Sequence, residues 1–356
     1  MIRFSRRTNW DTTETEWARQ IRERRVGALP ILDLTASNPT QCGFKYNDRE
    51  ILSALQDPGS MSYHPDPKGL LSTRTAVAEY YSGLGAAIDP NALVLTASTS
   101  EGYSFLFRLL CDPEDEVLIA APSYPLFDFL ADVNDVRLVS YSLFYDHGWH
   151  LDLESLRRAV TPRTRAVVVV HPNNPTGHFT KAAERTILEA ICLEHGMALI
   201  VDEVFLDYPV APAEPVTSFS SGEHPVLTFV LSGLSKIAGL PQMKAAWIGC
   251  FGPEPQFSAA LGRLEVIADT FLSMNAPVQL AVPQWLAGRE RIQEQIRART
   301  ATNLRILDQW LSEQKLVVHL PVEGGWYAIL RVPAKAADNE TALNLLVRYG
   351  VAVHSG

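Results

Sequence analysis

Four short polar strings, each set directly after an apolar β-branched run, hold the residues of this chain best suited to chemistry: ASTSEG after LVLT, HPNNPTG after AVVVV, DEVF after ALIV, and SGLSKIAGLPQMK after TFVL. Lys236 is flanked by Ser232 and Ser235 and trailed by Gly239 and Pro241, a tight turn in which an amine loses water. Desolvation lowers a lysine's pKa and makes it a nucleophile for a carbonyl, the requirement for a Schiff base; a lone lysine there would be read first as a surface loop lysine, and the neighbouring strings shift that reading. Asp202 closes ALIVD, where a carboxylate against a buried strand is costly unless a cation meets it, a pyridinium, an arginine or a helix end. Asn174 lies in a Pro-Gly turn, where its amide could donate to an oxygen on a ring. Ser98, Thr99 and Ser100 open a helical stretch starting near Glu101, so hydroxyls and backbone N–H groups converge where a phosphate is favoured, or where a serine simply caps a helix. Lys244, eight residues after Lys236, could add a cation to that phosphate or stay solvated.

For these strings to converge, their strands must end at one edge of one sheet, because ligands of open parallel sheets bind outside the carboxyl ends of the strands. The apolar runs predict strands at 93–96, 117–120, 136–141, 166–170, 198–201, 226–231 and 246–250, alternating with amphipathic helices. Runs such as AVVVV lack polar alternation, as strands covered on both faces do. The expected fold class is α/β, a mainly parallel seven-stranded sheet in a large domain, with a smaller α+β domain. That second domain is expected from both chain ends: an Arg- and Glu-rich helix over 14–25 and an extended segment 30–40 at one end, and a long helical pattern over 284–313 followed by LVVHL and GGWYAILRV at the other. The boundaries fall at 46–283 for the large domain and at 1–45 with 284–356 for the small one.

The 356 residues carry 31 Lys and Arg against 40 Asp and Glu, a net charge of −9, with no basic excess for a phosphate backbone, so no nucleic-acid partner is expected. Cys42, Cys111, Cys192 and Cys250 are far apart and read as buried thiols of a reducing compartment, the cytoplasm. The arginine-rich first 25 residues are interrupted by acids and followed by no apolar stretch, so neither a signal nor a transit peptide is expected. No apolar run is long enough for a membrane span. His147 and His150 in HGWH have no third ligand nearby, so no metal is expected.

HPNNPTG, VDEV and SGLSK with a basic residue eight on, in this order, resemble the class I/II aminotransferases, fold-type-I enzymes that use pyridoxal 5′-phosphate. The resemblance runs from SNPT through the Y-x-x-x-P-x-G pattern of Tyr63 to Gly69 to the closing GVAVHSG. It implies that Lys236 holds the internal aldimine and then acts as general base and acid, that Asp202 pairs with the pyridine nitrogen, and that Asn174 bonds the phenolic oxygen. It further implies that Tyr124 stacks on the ring, that Ser98, Thr99, Ser100, Ser235 and Lys244 hold the phosphate, and that Tyr63 reaches the phosphate of a neighbouring subunit in a homodimer. Ser37 and Asn38 resemble the stretch lying over the substrate, an amino acid or a 2-keto acid.

Three residues depart from the family pattern. Phe205 stands where many relatives have a tyrosine whose hydroxyl holds the phenolic oxygen, Gly233 replaces a frequent serine, and Lys244 an arginine with its bidentate fork. Gly356 falls where relatives run on for a further strand and helix, the segment that in most of them carries the arginine clamping the substrate carboxylate, so the sequence is expected to be a fragment in which that arginine is not named; Arg331 is an alternative partner or an ordinary ion-pairing residue. The same cofactor residues would serve a carbon–sulfur β-lyase or an amino acid decarboxylase. A ligand-sensing transcription factor is disfavoured by the roughly 30 residues preceding SNPT, too few for a DNA-binding domain.

Overall fold

The computed structural model describes residues 2–123, 126–272 and 274–356. Its strands are β1 (Leu32–Asp33), β2 (Leu93–Thr96), β3 (Glu116–Ala121), β4 (Arg137–Tyr145), β5 (Trp149–Leu151), β6 (Thr164–Val170), β7 (Ala198–Asp202), β8 (Thr228–Gly233), β9 (Ala246–Phe251), β10 (Val318–Leu320), β11 (Ile329–Arg331) and β12 (Val351–Ala352). The central sheet has the order β2-β9-β8-β7-β6-β3-β4-β5. Pairs β3–β4, β3–β6, β6–β7 and β7–β8 are parallel, while β9 runs against both β2 and β8, and β5 against β4.

All seven expected strands are in this sheet, and β5 is an eighth. It overlaps the HGWH stretch, outside the expected strands, and pairs Trp149 with Tyr145 in a short hairpin at the sheet edge. β4 also runs four residues beyond its expected end at Tyr141, because β5 extends its ladder.

The period-2 geometry of a strand explains the long apolar runs. Ala166, Val168 and Val170 face one layer with Ile200, Phe229, Leu231 and the helix Thr99–Leu110, whereas Val167 and Val169 face the opposite layer with Leu199, Val201, Val230 and the helix Ala182–His195. Both faces are dry, so no alternation survives in the sequence. A third cluster, around Val77, Tyr81, Trp247, Val282 and Trp285, packs the helices Leu71–Ser82 and Ala276–Ala287 beside β2 and β9.

The chain ends form two small sheets. β1 pairs parallel with β12, and β10 antiparallel with β11. The long helical pattern expected over 284–313 is two helices, Ala276–Ala287 and Glu290–Leu311, because Gly288 ends the first. The cysteines are free, and only Cys192 and Cys250 are buried: Cys42 and Cys111 are half-exposed, which corrects the reading of four buried thiols. No helix among the described residues is long and apolar enough to cross a membrane.

Candidate functional site

Sheet register brings the chemical strings together. Val170 lies beside Asp202, Asp202 beside Leu231, Gly233 beside Ala246, and Ala246 beside Thr96. The residues that follow β6, β7, β8 and β2, and those that precede β9, therefore share one edge: His171–Asn174, Glu203–Phe205, Leu234–Lys236, Ala97–Ser100 and Lys244–Ala245.

Asp202 is buried at this edge. Tyr103, on the helix after β2, donates to its Oδ2 at 3.1 Å, and the backbone N–H of Val204 donates to Oδ1 at 3.1 Å. Burial nevertheless dominates and pushes the Asp202 carboxyl up to about 6. The same desolvation lowers Lys236, opposed by the charge of Asp202. The lysine amine lies 4.7 Å from the centre of the Trp326 ring and 5.1 Å from that of Phe205, and these two rings meet edge to face at 5.1 Å. Tyr208 donates its hydroxyl to the Lys236 carbonyl at 2.7 Å, fixing the backbone from which the lysine projects. The hydroxyl missing at Phe205 is thus not replaced by Tyr208, which is spent on the main chain.

Ser98 is the N-cap of the helix Thr99–Leu110, its Oγ accepting from Glu101 N at 3.1 Å, while Glu101 Oε2 accepts from Ala97 N at 2.6 Å. The Glu101 side chain thus reaches back to the N–H just before the cap. Thr99, Ser100 and Ser235 are half-buried, and among the described residues their hydroxyls pair with no other group of the chain. Lys244 is exposed and holds a left-handed backbone, φ 55°, between a turn and β9. Gly233 has a steric cause: a Cβ there would stand 2.8 Å from Ala245 O and from Ala246 Cβ, so the serine of relatives has no room.

Asn174 is half-buried in the turn after β6; its neighbour Asn173 builds that turn, accepting from Thr176 N at 3.3 Å and Thr176 Oγ1 at 3.0 Å. Asn38 is exposed and caps its own turn, accepting from Thr40 N at 3.1 Å, and Ser37 beside it is half-buried. Tyr63, 81% exposed, is not a core tyrosine. Arg331 ends β11 and is exposed. Tyr124 lies outside the described residues. His147 is exposed, and His150 stacks on Phe144 at 5.3 Å.

Sequence reasoning did not single out Tyr103 or Trp326. Tyr103 has the type of an ordinary core aromatic, and Trp326 is remote in sequence from Lys236; the one available signal was the glycine pair before Trp326, which lets that segment approach another backbone closely.

A buried carboxylate short of a cation, a desolvated lysine and unpaired hydroxyls at a helix N-terminus ask for a group with a cationic ring nitrogen, a carbonyl and a phosphate. Pyridoxal 5′-phosphate fits all three. The chain matches Aminotransferase class I and II over residues 30–356 and belongs to that family, whose members use this cofactor. It is 29% identical to glutamate-pyruvate aminotransferase AlaA of Escherichia coli (strain K12) over 266 residues, 74% of this chain and 65% of that protein, and so spans just under two thirds of that relative's length. Against alanine aminotransferase of Mycobacterium tuberculosis (strain H37Rv) it is 29% identical over 341 residues, 92% of this chain and 78% of that protein. Among solved structures, alanine aminotransferase from Pyrococcus furiosus superposes with a TM-score of 0.87 at 23% identity, covering 98% of this chain and 90% of that one, a likeness of fold. An aminotransferase from Escherichia coli does so with a TM-score of 0.85 at 25% identity, covering 99% and 89%.

Proposed function

We propose that this protein is an aminotransferase that moves an amino group between an amino acid and a 2-keto acid with pyridoxal 5′-phosphate. The observation that carries this reading is the placement of the buried Asp202 and the half-buried Lys236 at the ends of neighbouring strands: desolvation lowers the lysine toward the neutral nucleophile and leaves the aspartate in want of a cationic partner. The names of the relatives favour glutamate and alanine as donors and pyruvate as an acceptor.

When bound, the cofactor supplies a carbonyl that condenses with amines and a ring that withdraws electrons. Lys236 Nζ, lowered by burial, would be the nucleophile toward that carbonyl and, when free, the general base and acid that takes and returns the α-proton of the amino acid. Asp202 keeps a proton on the ring nitrogen; its own raised pKa falls when that cation arrives. Thr99, Ser100 and Ser235, with Ser98 and Lys244, hold the phosphate, and Asn174 donates to the ring oxygen. Trp326 and Phe205 keep water from the lysine. Ser37 and Asn38 lie on the substrate side.

Tyr63 is the residue we assign to a second copy's phosphate, in a homodimer, on the strength of its exposure. The domain division at 46–283, with 1–45 and 284–356 as the smaller unit, accords with the small sheets formed by the chain ends. The cytoplasm is assigned from four unpaired thiols. Incubation with glutamate and pyruvate tests the activity: alanine formed in proportion to pyruvate supplied supports it, whereas keto acid and ammonia released without an acceptor point to lyase chemistry.

A further inference from the structure

Directly after the HPNNPTG turn, buried His178 and half-buried Lys181 meet the half-buried Glu184 and Glu323 in a cluster of charge. The Glu323 carboxylate receives the Lys181 ammonium, the N–H of Phe179 at 3.0 Å and the N–H of Ala213 at 3.0 Å, with His178 Nδ1 at 3.6 Å. Its main chain is tied as closely. Glu323 N donates to Gly177 O at 3.2 Å, Glu323 O accepts from Val210 N at 2.7 Å, and Gly325 N donates to Tyr208 O at 2.9 Å.

The approach is so tight that a Cβ on Gly177 would lie 2.5 Å from Gly324 O. Three residues beyond Glu323, Trp326 packs on Tyr208 at 5.0 Å and lies over the amine of Lys236. The ionic cluster takes no part in the chemistry set out above, yet it fixes the segment that delivers the ring.

We propose that Lys181 and Glu323 form an anchor that holds Trp326 over Lys236, and that both are positioning residues for the nucleophile. The anchor works through desolvation: an indole face displaces water from the amine, and a fixed segment keeps it there. The inference rests on Lys236 being the reactive lysine, and its test needs no cofactor.

The experiment is competitive acetylation of the cofactor-free protein with acetic anhydride across pH, with labelling of Lys236 and of exposed Lys315 read by peptide mass spectrometry. In the wild type, Lys236 should label with a midpoint below the ordinary lysine value of 10.5. Glu323→Gln, Lys181→Met and Trp326→Ala should each raise that midpoint by about one unit, an approximately tenfold slower reaction of Lys236 near pH 8, with Lys315 unchanged. Lys181→Arg should restore it. Circular dichroism establishes that each variant is folded, and Lys181→Met serves if Glu323→Gln is not. A wild-type midpoint in folded Glu323→Gln or Lys181→Met, beside a raised one in Trp326→Ala, overturns the anchor. An unchanged midpoint in Trp326→Ala overturns the cover itself. Normal cofactor binding in wild type beside either result leaves the assigned activity standing.

Discussion

Tyr103 reaches across from the helix that follows β2 to donate its hydroxyl to Asp202 Oδ2, 3.1 Å away and buried from solvent. Among the described residues the carboxylate has one further donor, Val204 N, so half of the hydrogen bonding they give it depends on one phenol. A hydrogen bond to a charged acceptor contributes about 1.5–3 kcal/mol. Tyr103→Phe should therefore weaken pyridoxal phosphate binding by about 10- to 100-fold, measured by absorbance titration of the cofactor-free protein.

Asp202 also sets a pH dependence. Its folded pKa, about 6, exceeds the ordinary 3.8, so the native state holds the extra proton and loses stability as pH rises between those values, by about 3 kcal/mol in all. Glu203, buried beside it and pushed up to about 7, adds a loss of the same sign. Thermal melts of the cofactor-free protein should fall from pH 4 to 7; Asp202→Asn should remove much of the slope below pH 6. Added cofactor should flatten the wild-type curve.

Glu323 behaves oppositely. Although burial raises it, His178, Lys181 and two backbone N–H groups hold it down at about 2. Its stabilisation is present above the unfolded value of 4.5 and is lost as pH falls from there toward 2. Acid unfolding followed by circular dichroism should show a shallower limb in Glu323→Gln than in the wild type.

Gly177 combines a left-handed backbone, φ 68°, with the contact to Gly324 O that leaves no room for a methyl. Gly177→Ala should cost about 2–4 kcal/mol, strain and backbone clash together, and lower the melting temperature by several degrees. An unchanged melting curve would mean that the turn and the Glu323 segment separate easily.

The sheet was legible in the sequence because buried parallel strands must be continuous apolar runs, and the polar residues after them mark the edge where ligands bind. Asp202 and Lys236 were legible for the same reason. β5 was not, since three residues in a polar hairpin carry no run to detect. The break at Gly288 was missed because the amphipathic pattern continues across it. Trp326 and Tyr103 escaped because their importance lies in contacts to Lys236 and Asp202, which only the folded chain brings about.

The central claim is that Lys236 carries the cofactor. Pyridoxal phosphate added to the purified protein should produce a visible absorption band that borohydride removes, leaving the cofactor fixed on the peptide containing Lys236; Lys236→Ala should show neither. A wild-type protein without that band, or a band that survives in Lys236→Ala, would contradict the account.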